Sequence, residues 1–176
     1  MVWDEYQLED LGREHAIGAG LFVPFVIQRL QTTDQAEAVL AISLRDIGTH
    51  NQRGRSLKIN WLPSSVPEQP LGVSENTITE WAALGVACIV ASVYAGVRVQ
   101  AVSAQGDRFD YWVSDGSGDY GLEVTGTLTE EVESRHSSKV RQCQANPYGV
   151  DGYVLTAGFS TRQVIFSFHR FQENPV

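Results

Sequence analysis

The sequence predicts an α+β fold, a mixed central sheet flanked by helices, with a β-containing N-terminal extension. Three observations predict it. Residues 77–80 (T-I-T-E) spell a capping box ahead of W-A-A-L-G-V-A-C-I-V-A-S-V-Y-A, apolar nearly all round, which is the mark of a helix buried between layers. Short apolar segments separated by glycine-rich turns follow over residues 97–126, and two more close the chain. Between them a second helical stretch runs over residues 127–145 and is stopped by Asn146-Pro147.

The N-terminal elements carry weaker signals. Tyr6, Leu8 and Leu11 among charges predict a short surface helix over residues 4–14. Residues 21–31 (L-F-V-P-F-V-I-Q-R-L-Q) read as a strand, with Pro24 placing it at an edge or a bulge. Periodicity does not separate a helix over 36–41 from a strand over 39–44. Residues 57–61 read as a strand with Leu57, Ile59 and Trp61 on one face. The segment W-L-P-S-S-V-P-E-Q-P-L-G has three prolines and reads as a connector. It divides a β-rich extension, residues 1–70, from a core, residues 71–176, within one compact domain.

In the core, Thr77 is the predicted N-cap, Glu80 its N3 partner and Gly96 the C′ residue. Residues 97–104 and 108–114 form a hairpin about Gly106-Asp107, and residues 122–126 a third strand. Thr127-Leu128-Thr129-Glu130 is a second capping box. Strands over 152–158 and 164–171 finish the fold.

Composition bounds the function. The chain has 176 residues, 43% hydrophobic and 19% charged, enough for a proper core. Cys88 and Cys143 lie far apart, neither near a second Cys or a His at zinc spacing. The acidic N-terminus lacks the apolar stretch of a secretory signal, and no apolar run reaches membrane-spanning length. A soluble cytoplasmic protein without membrane attachment is expected. A net charge of −8 disfavours broad non-specific binding to nucleic acid. The one basic cluster, H-N-Q-R-G-R-S-L-K over residues 50–58, reads as a solvated loop.

The chemistry concentrates in residues 106–126. Asp110 and Glu123 each sit on a short apolar strand, joined by a glycine-rich turn. Folding that hairpin brings two carboxylates together, a natural site for a hard divalent cation, Mg²⁺ or Mn²⁺. Phe109, Tyr111, Trp112, Leu122 and Val124 make both strands mostly buried, and buried carboxylates need a partner or a metal.

The order α-β-β-β-α-β, with Asp110 on the second strand and Glu123 on the third, resembles the core of the PD-(D/E)XK nuclease superfamily over residues 74–171. The resemblance implies a restriction-endonuclease-like core that hydrolyses phosphodiester bonds in nucleic acid. It implies magnesium on Asp110 and Glu123, and it matches Glu80 to the glutamate of the family's first helix. The family's E-x-K lysine is replaced here by Thr125. Some members carry that lysine on the following helix, where Lys139 is the candidate. Val132, Arg135, His136, Lys139 and Gln142 form one helical stripe, so Lys139 reaches the carboxylates if the stripe faces the sheet. An acidic nuclease then needs a protein partner supplying basic surface, or a narrow groove lined by Arg53, Arg55 and Lys58. The departure at Thr125 supports a second reading, a non-catalytic domain of this fold acting as an interaction or binding module, with Trp3, Tyr6 and Trp61 at its interface.

Overall fold

A computed structural model of the chain describes residues 3–32, 34–48, 50–68 and 71–173. It is α+β: a mixed eight-stranded sheet flanked by helices. The elements are β1 Asp4–Gln7, α1 Leu11–Glu14, α2 Val23–Leu30, β2 Glu37–Ile47, β3 His50–Asn60, α3 Glu75–Ala95, β4 Arg98–Val102, β5 Tyr111–Ser114, β6 Asp119–Thr127, α4 Val132–Gln144, β7 Gly152–Gly158 and β8 Gln163–His169. The strand order is β1-β3-β2-β8-β7-β6-β5-β4. The β1–β3, β2–β8 and β6–β7 pairs are parallel and the others antiparallel. Strands from residues 1–70 therefore continue the same sheet through β2 and β8.

Glycines show which face each helix covers. A Cβ on Gly126 would lie 2.7 Å from the Thr79 carbonyl oxygen and 3.0 Å from Ala83 Cβ, both on α3. A Cβ on Gly152 would lie 2.5 Å from Cys143 Sγ, and one on Gly158 would lie 2.5 Å from Val132 Cγ2, both on α4. Gly126 pairs with Ala157, one step out of phase with Gly152 and Gly158. Successive strand residues face opposite ways, so α3 and α4 pack on opposite faces. Leu122, Leu155, Ala157, Val164 and Phe166 fill the core on the α3 side.

Helix α3 is apolar nearly all round because most of it is covered, Glu80 and Trp81 being exposed. Its buried residues run from Ile78 to Ala91, with α2 crossing at Gly85, where an added Cβ would meet Val26 Cγ2 at 2.4 Å. By length and composition it is long and apolar enough to cross a membrane, further than the run 81–93 suggests, and 67% of its apolar window is buried inside the molecule. Gly96 ends it with φ of +67°, as expected of a C′ glycine.

Several expectations are corrected. Residues 21–31 are not a strand: Pro24 occupies the first turn of α2, where its missing N–H costs no helical bond, and Phe25, Val26, Ile27 and Leu30 are buried. Residues 4–14 begin as β1, which adds beside β3 with Tyr6 opposite Ile59, before α1. The ambiguous segment is strand β2, with Ala38, Leu40, Ile42 and Leu44 buried at alternate positions. The basic segment 50–58 belongs to strand β3 rather than a loop, though the side chains of residues 50–52 lie outside the described residues. So do Gln69 and Pro70 of the proline-rich connector. The cap of α3 is Ser74, whose hydroxyl accepts from the Thr77 N–H at 3.2 Å, not Thr77. Helix α4 starts at Val132 with no side-chain cap; the Thr127 hydroxyl takes the Thr129 N–H outside the helix at 3.0 Å.

Candidate active site

The pairing of β5 with β6 ends at Tyr111↔Leu122. Strand β5 begins at Tyr111 rather than at 108 as expected, so Asp110 is the residue just before it and lies near Glu123, the next residue of β6, where the strands part. Asp110 donates its N–H to the Leu122 carbonyl at 2.9 Å. Its Oδ2 then accepts the Val124 N–H at 2.9 Å, a bond the next backbone carbonyl would make in a longer ladder. A side chain thus takes over from the backbone, and Asp110 is fixed in place.

Glu123 projects to the α4 face, where its side chain is fully buried. Lys139 comes down from α4 and its Nζ donates to Glu123 Oε1. The same ammonium lies 3.4 Å from Gln142 Oε1. Glu123 Oε2 is buried with no hydrogen-bond partner among the described residues. Burial and the Asp110 charge push the Glu123 carboxyl up to about 7, although Lys139 pulls the other way. Desolvation outweighs the ion pair here because the carboxylate has lost its water and gained one donor. Burial likewise raises Asp110, against the pull of the Val124 N–H and Lys139.

Helix α4 is held in the register that aims Lys139. His136, one turn earlier on the same stripe, is buried with Nδ1 3.0 Å from Thr156 Oγ1 and Nε2 2.8 Å from Ser167 Oγ. Burial first, then Arg45, lowers its pKa to about 4, so it is a neutral strut between helix and sheet.

Beside this pair lies a cleft of about 290 Å³ lined by Glu80, Trp81, Leu84, Asp110, Tyr111, Val124, Thr125 and Lys139. It forms where β5 stops short and leaves the edge of β6 open between α3 and α4. All four sequence candidates converge here: Glu80, Asp110 and Lys139 line the cleft, and Glu123 sits behind Lys139. The stripe on α4 does face the sheet. Glu80 is exposed, and its carboxylate makes no hydrogen bond or ion pair among the described residues. With Ser74 as the cap, Glu80 has no capping duty.

The donor set is of the kind a hard divalent cation takes. It is two carboxylates, one with a buried oxygen unpartnered among the described residues, and magnesium commonly takes only one or two protein carboxylates. No group of three or more His, Cys, Asp or Glu side chains in metal-binding array is present among the described residues.

Comparison with protein families, curated proteins and solved structures finds no match for this chain.

The proposed basic groove is not at this site. Arg53, Arg55 and Lys58 lie on β3, which β2, β8 and β7 separate from β6, about 19 Å at the usual strand spacing. Lys58 is paired with Glu37 at 2.7 Å. Tyr6 and Trp61 are buried, so of the three aromatics suggested for an interface only Trp3 is exposed. Sequence reading missed Trp81 as a cleft wall; in a helix apolar on every side no periodic signal marks the one ring left in solvent.

Proposed function

We propose that the protein is a metal-dependent phosphodiesterase acting on nucleic acid, with a restriction-endonuclease-like core. One observation carries the reading: Glu80 of α3, Asp110 just before β5 and Lys139 of α4 line one cleft at an open strand edge, with Glu123 of β6 held behind Lys139. Asp110 and Glu123 are the carboxylates that would hold Mg²⁺ or Mn²⁺. The cation, when bound, supplies charge stabilisation on the phosphoryl oxygens and a more acidic water.

The chain's own groups supply the rest. The Val124 N–H holds Asp110 in one orientation. Glu123, with its proton affinity near neutral, would give up its proton as the cation binds. Among the described residues Lys139 is the one cation that reaches the carboxylate pair, and it would take the part that a lysine at 125 plays in the resembling family. The Thr125 hydroxyl lines the same cleft without charge. Glu80 offers a third carboxylate across the cleft. The acidic chain would work with a protein partner that supplies basic surface, or on a substrate needing few phosphate contacts.

The replacement of lysine by Thr125 and the burial of Glu123 favour the second reading, a binding module that has lost catalysis. The test is cleavage of labelled DNA and RNA in Mg²⁺ or Mn²⁺ by the native protein and by Asp110→Asn. Cleavage abolished by the substitution supports an enzyme. Cation binding without cleavage of any substrate supports the module.

A further inference from the structure

We propose that the cleft seats an unpaired nucleobase on Trp81, so that the substrate class is single-stranded nucleic acid. This rests on the phosphodiesterase reading and names its substrate.

Trp81 is on α3, one residue after Glu80, and lines the same cleft as Asp110 and Lys139. It is 42% exposed, unlike Ala82, Ala83 and Leu84 beside it, which are buried. The ring is braced rather than loose: Phe25 meets it edge-on with centroids 4.7 Å apart at 81°, and Phe22 at 6.4 Å and 72°. A large rigid aromatic held partly in water beside two carboxylates is the arrangement a stacking platform needs.

Beyond Asp110 the cleft continues into a second depression of about 340 Å³, which shares Asp110 and Tyr111. Arg108 and Gln142 lie in its wall. The two depressions share Asp110, with Trp81 in the wall of one and Arg108 in the wall of the other. That arrangement suits a base, a scissile phosphate and a neighbouring phosphate.

Charge decides between a single strand and a duplex. Duplex binding draws most of its affinity from many Lys and Arg contacts to phosphates. This chain has a net charge of −8. Arg29, Arg45 and Lys58 are tied to Glu75, Glu133 and Glu37. Stacking needs no positive charge, and every base has a π-face. A site poor in cations with an exposed tryptophan gains its affinity from bases, which only an unpaired strand presents.

The experiment is fluorescence anisotropy in EDTA, where no cation supports cleavage. The probes are fluorescein-labelled oligo(dT), oligo(rU) and a DNA duplex of the same length. The native protein is compared with Trp81→Phe and Trp81→Leu, each first shown to melt cooperatively. Single strands should bind about tenfold tighter than duplex, and Trp81→Leu should lose about that factor while Trp81→Phe keeps most of it. The tighter of the two single strands identifies DNA or RNA as the source of the base. Equal or tighter duplex binding overturns the proposal. So does single-strand binding undiminished in Trp81→Leu. Single-strand binding that depends on Trp81, with no cleavage once Mn²⁺ is restored, leaves the platform standing and removes the phosphodiesterase. Cleavage of duplex by Trp81→Leu at the native rate does the reverse.

Discussion

Lys139 on α4 reaches across to Glu123 on β6 and donates to one carboxylate oxygen, leaving the other buried and without a partner among the described residues. The ammonium closes the carboxylate off from the cleft, whose wall contains Lys139 but not Glu123. A positive charge thus already stands where the proposed cation would bind, and the two must share the site or exchange.

That relationship fixes the sign of a substitution. Lys139→Ala removes a competing charge beside two carboxylates, so Mn²⁺ should bind more tightly while hydrolysis falls by about 10² or more. Thr125→Lys in the Lys139→Ala background should restore part of the activity, because both positions line the same cleft. Calorimetry and a cleavage assay on the three proteins check both statements. A Lys139→Ala protein with weaker Mn²⁺ binding and native activity would show that the lysine is only a structural partner of Glu123.

The buried acid makes cation binding depend on pH. Below about 7 Glu123 holds a proton that a cation must displace. Apparent Mn²⁺ affinity should rise by about tenfold per pH unit toward pH 7 and level off above it. Titrations across pH 5.5 to 8 in matched ionic strength measure the slope; a flat profile would place the cation away from Glu123.

The same shift acts on folding. The folded-state pKa of Glu123, about 7, stands above its ordinary 4.5. Between those values the folded chain keeps a proton that the unfolded chain releases, so this group's contribution to stability falls as pH rises and is lost above 7, about 3 kcal/mol in all. His136 runs the other way: its folded pKa of about 4 lies below 6.5, so its contribution grows as pH rises between them. His15 and His169, also lowered by burial, act in the same direction as His136, so the native melting temperature should climb less steeply from pH 4.5 to 6.5 than that of Glu123→Gln. Thermal melts of the two proteins at each pH will show the difference.

The approach of α3 to β6 is a separate test of the scaffold. Gly126→Ala puts a methyl 2.7 Å from the Thr79 carbonyl oxygen, which should cost about 1–3 kcal/mol and displace the neighbouring Glu80. Gly54→Ala, with nothing within 4 Å of the new methyl, should change the melting temperature little. Equal melting temperatures for the two variants would mean that α3 does not pack on β6 as described.

The core was legible because its signals are local and agree with one another. The all-apolar stretch after Glu80 and the stripe through His136 and Lys139 each point to the element that forms, whereas the Gly106-Asp107 turn expected to join two strands directly lies inside a longer connection between β4, ending at Val102, and β5, starting at Tyr111. The extension was harder to read. Pro24 carries the same letter in the first turn of a helix and at a strand edge, and only the burial of Phe25, Val26 and Leu30 against α3 separates the two. Arg53 and Arg55 share strand β3 with Leu57 and Ile59, so a basic run hid a strand completed by β1 from fifty residues earlier. Period and topology were enough to expect Asp110, Glu123 and Lys139 near one another, as they lie. Trp81 was not expected there, because exposure of one ring on a buried helix depends on where β5 ends.

The most direct test of the central claim is Mn²⁺ binding by calorimetry to the native protein, Asp110→Asn and Glu123→Gln at pH 7.5. One shared site predicts saturable binding in the native protein and its loss in both variants, each still melting cooperatively. Native-like binding in both variants would contradict the account, since Asp110 and Glu123 would then hold no cation between them.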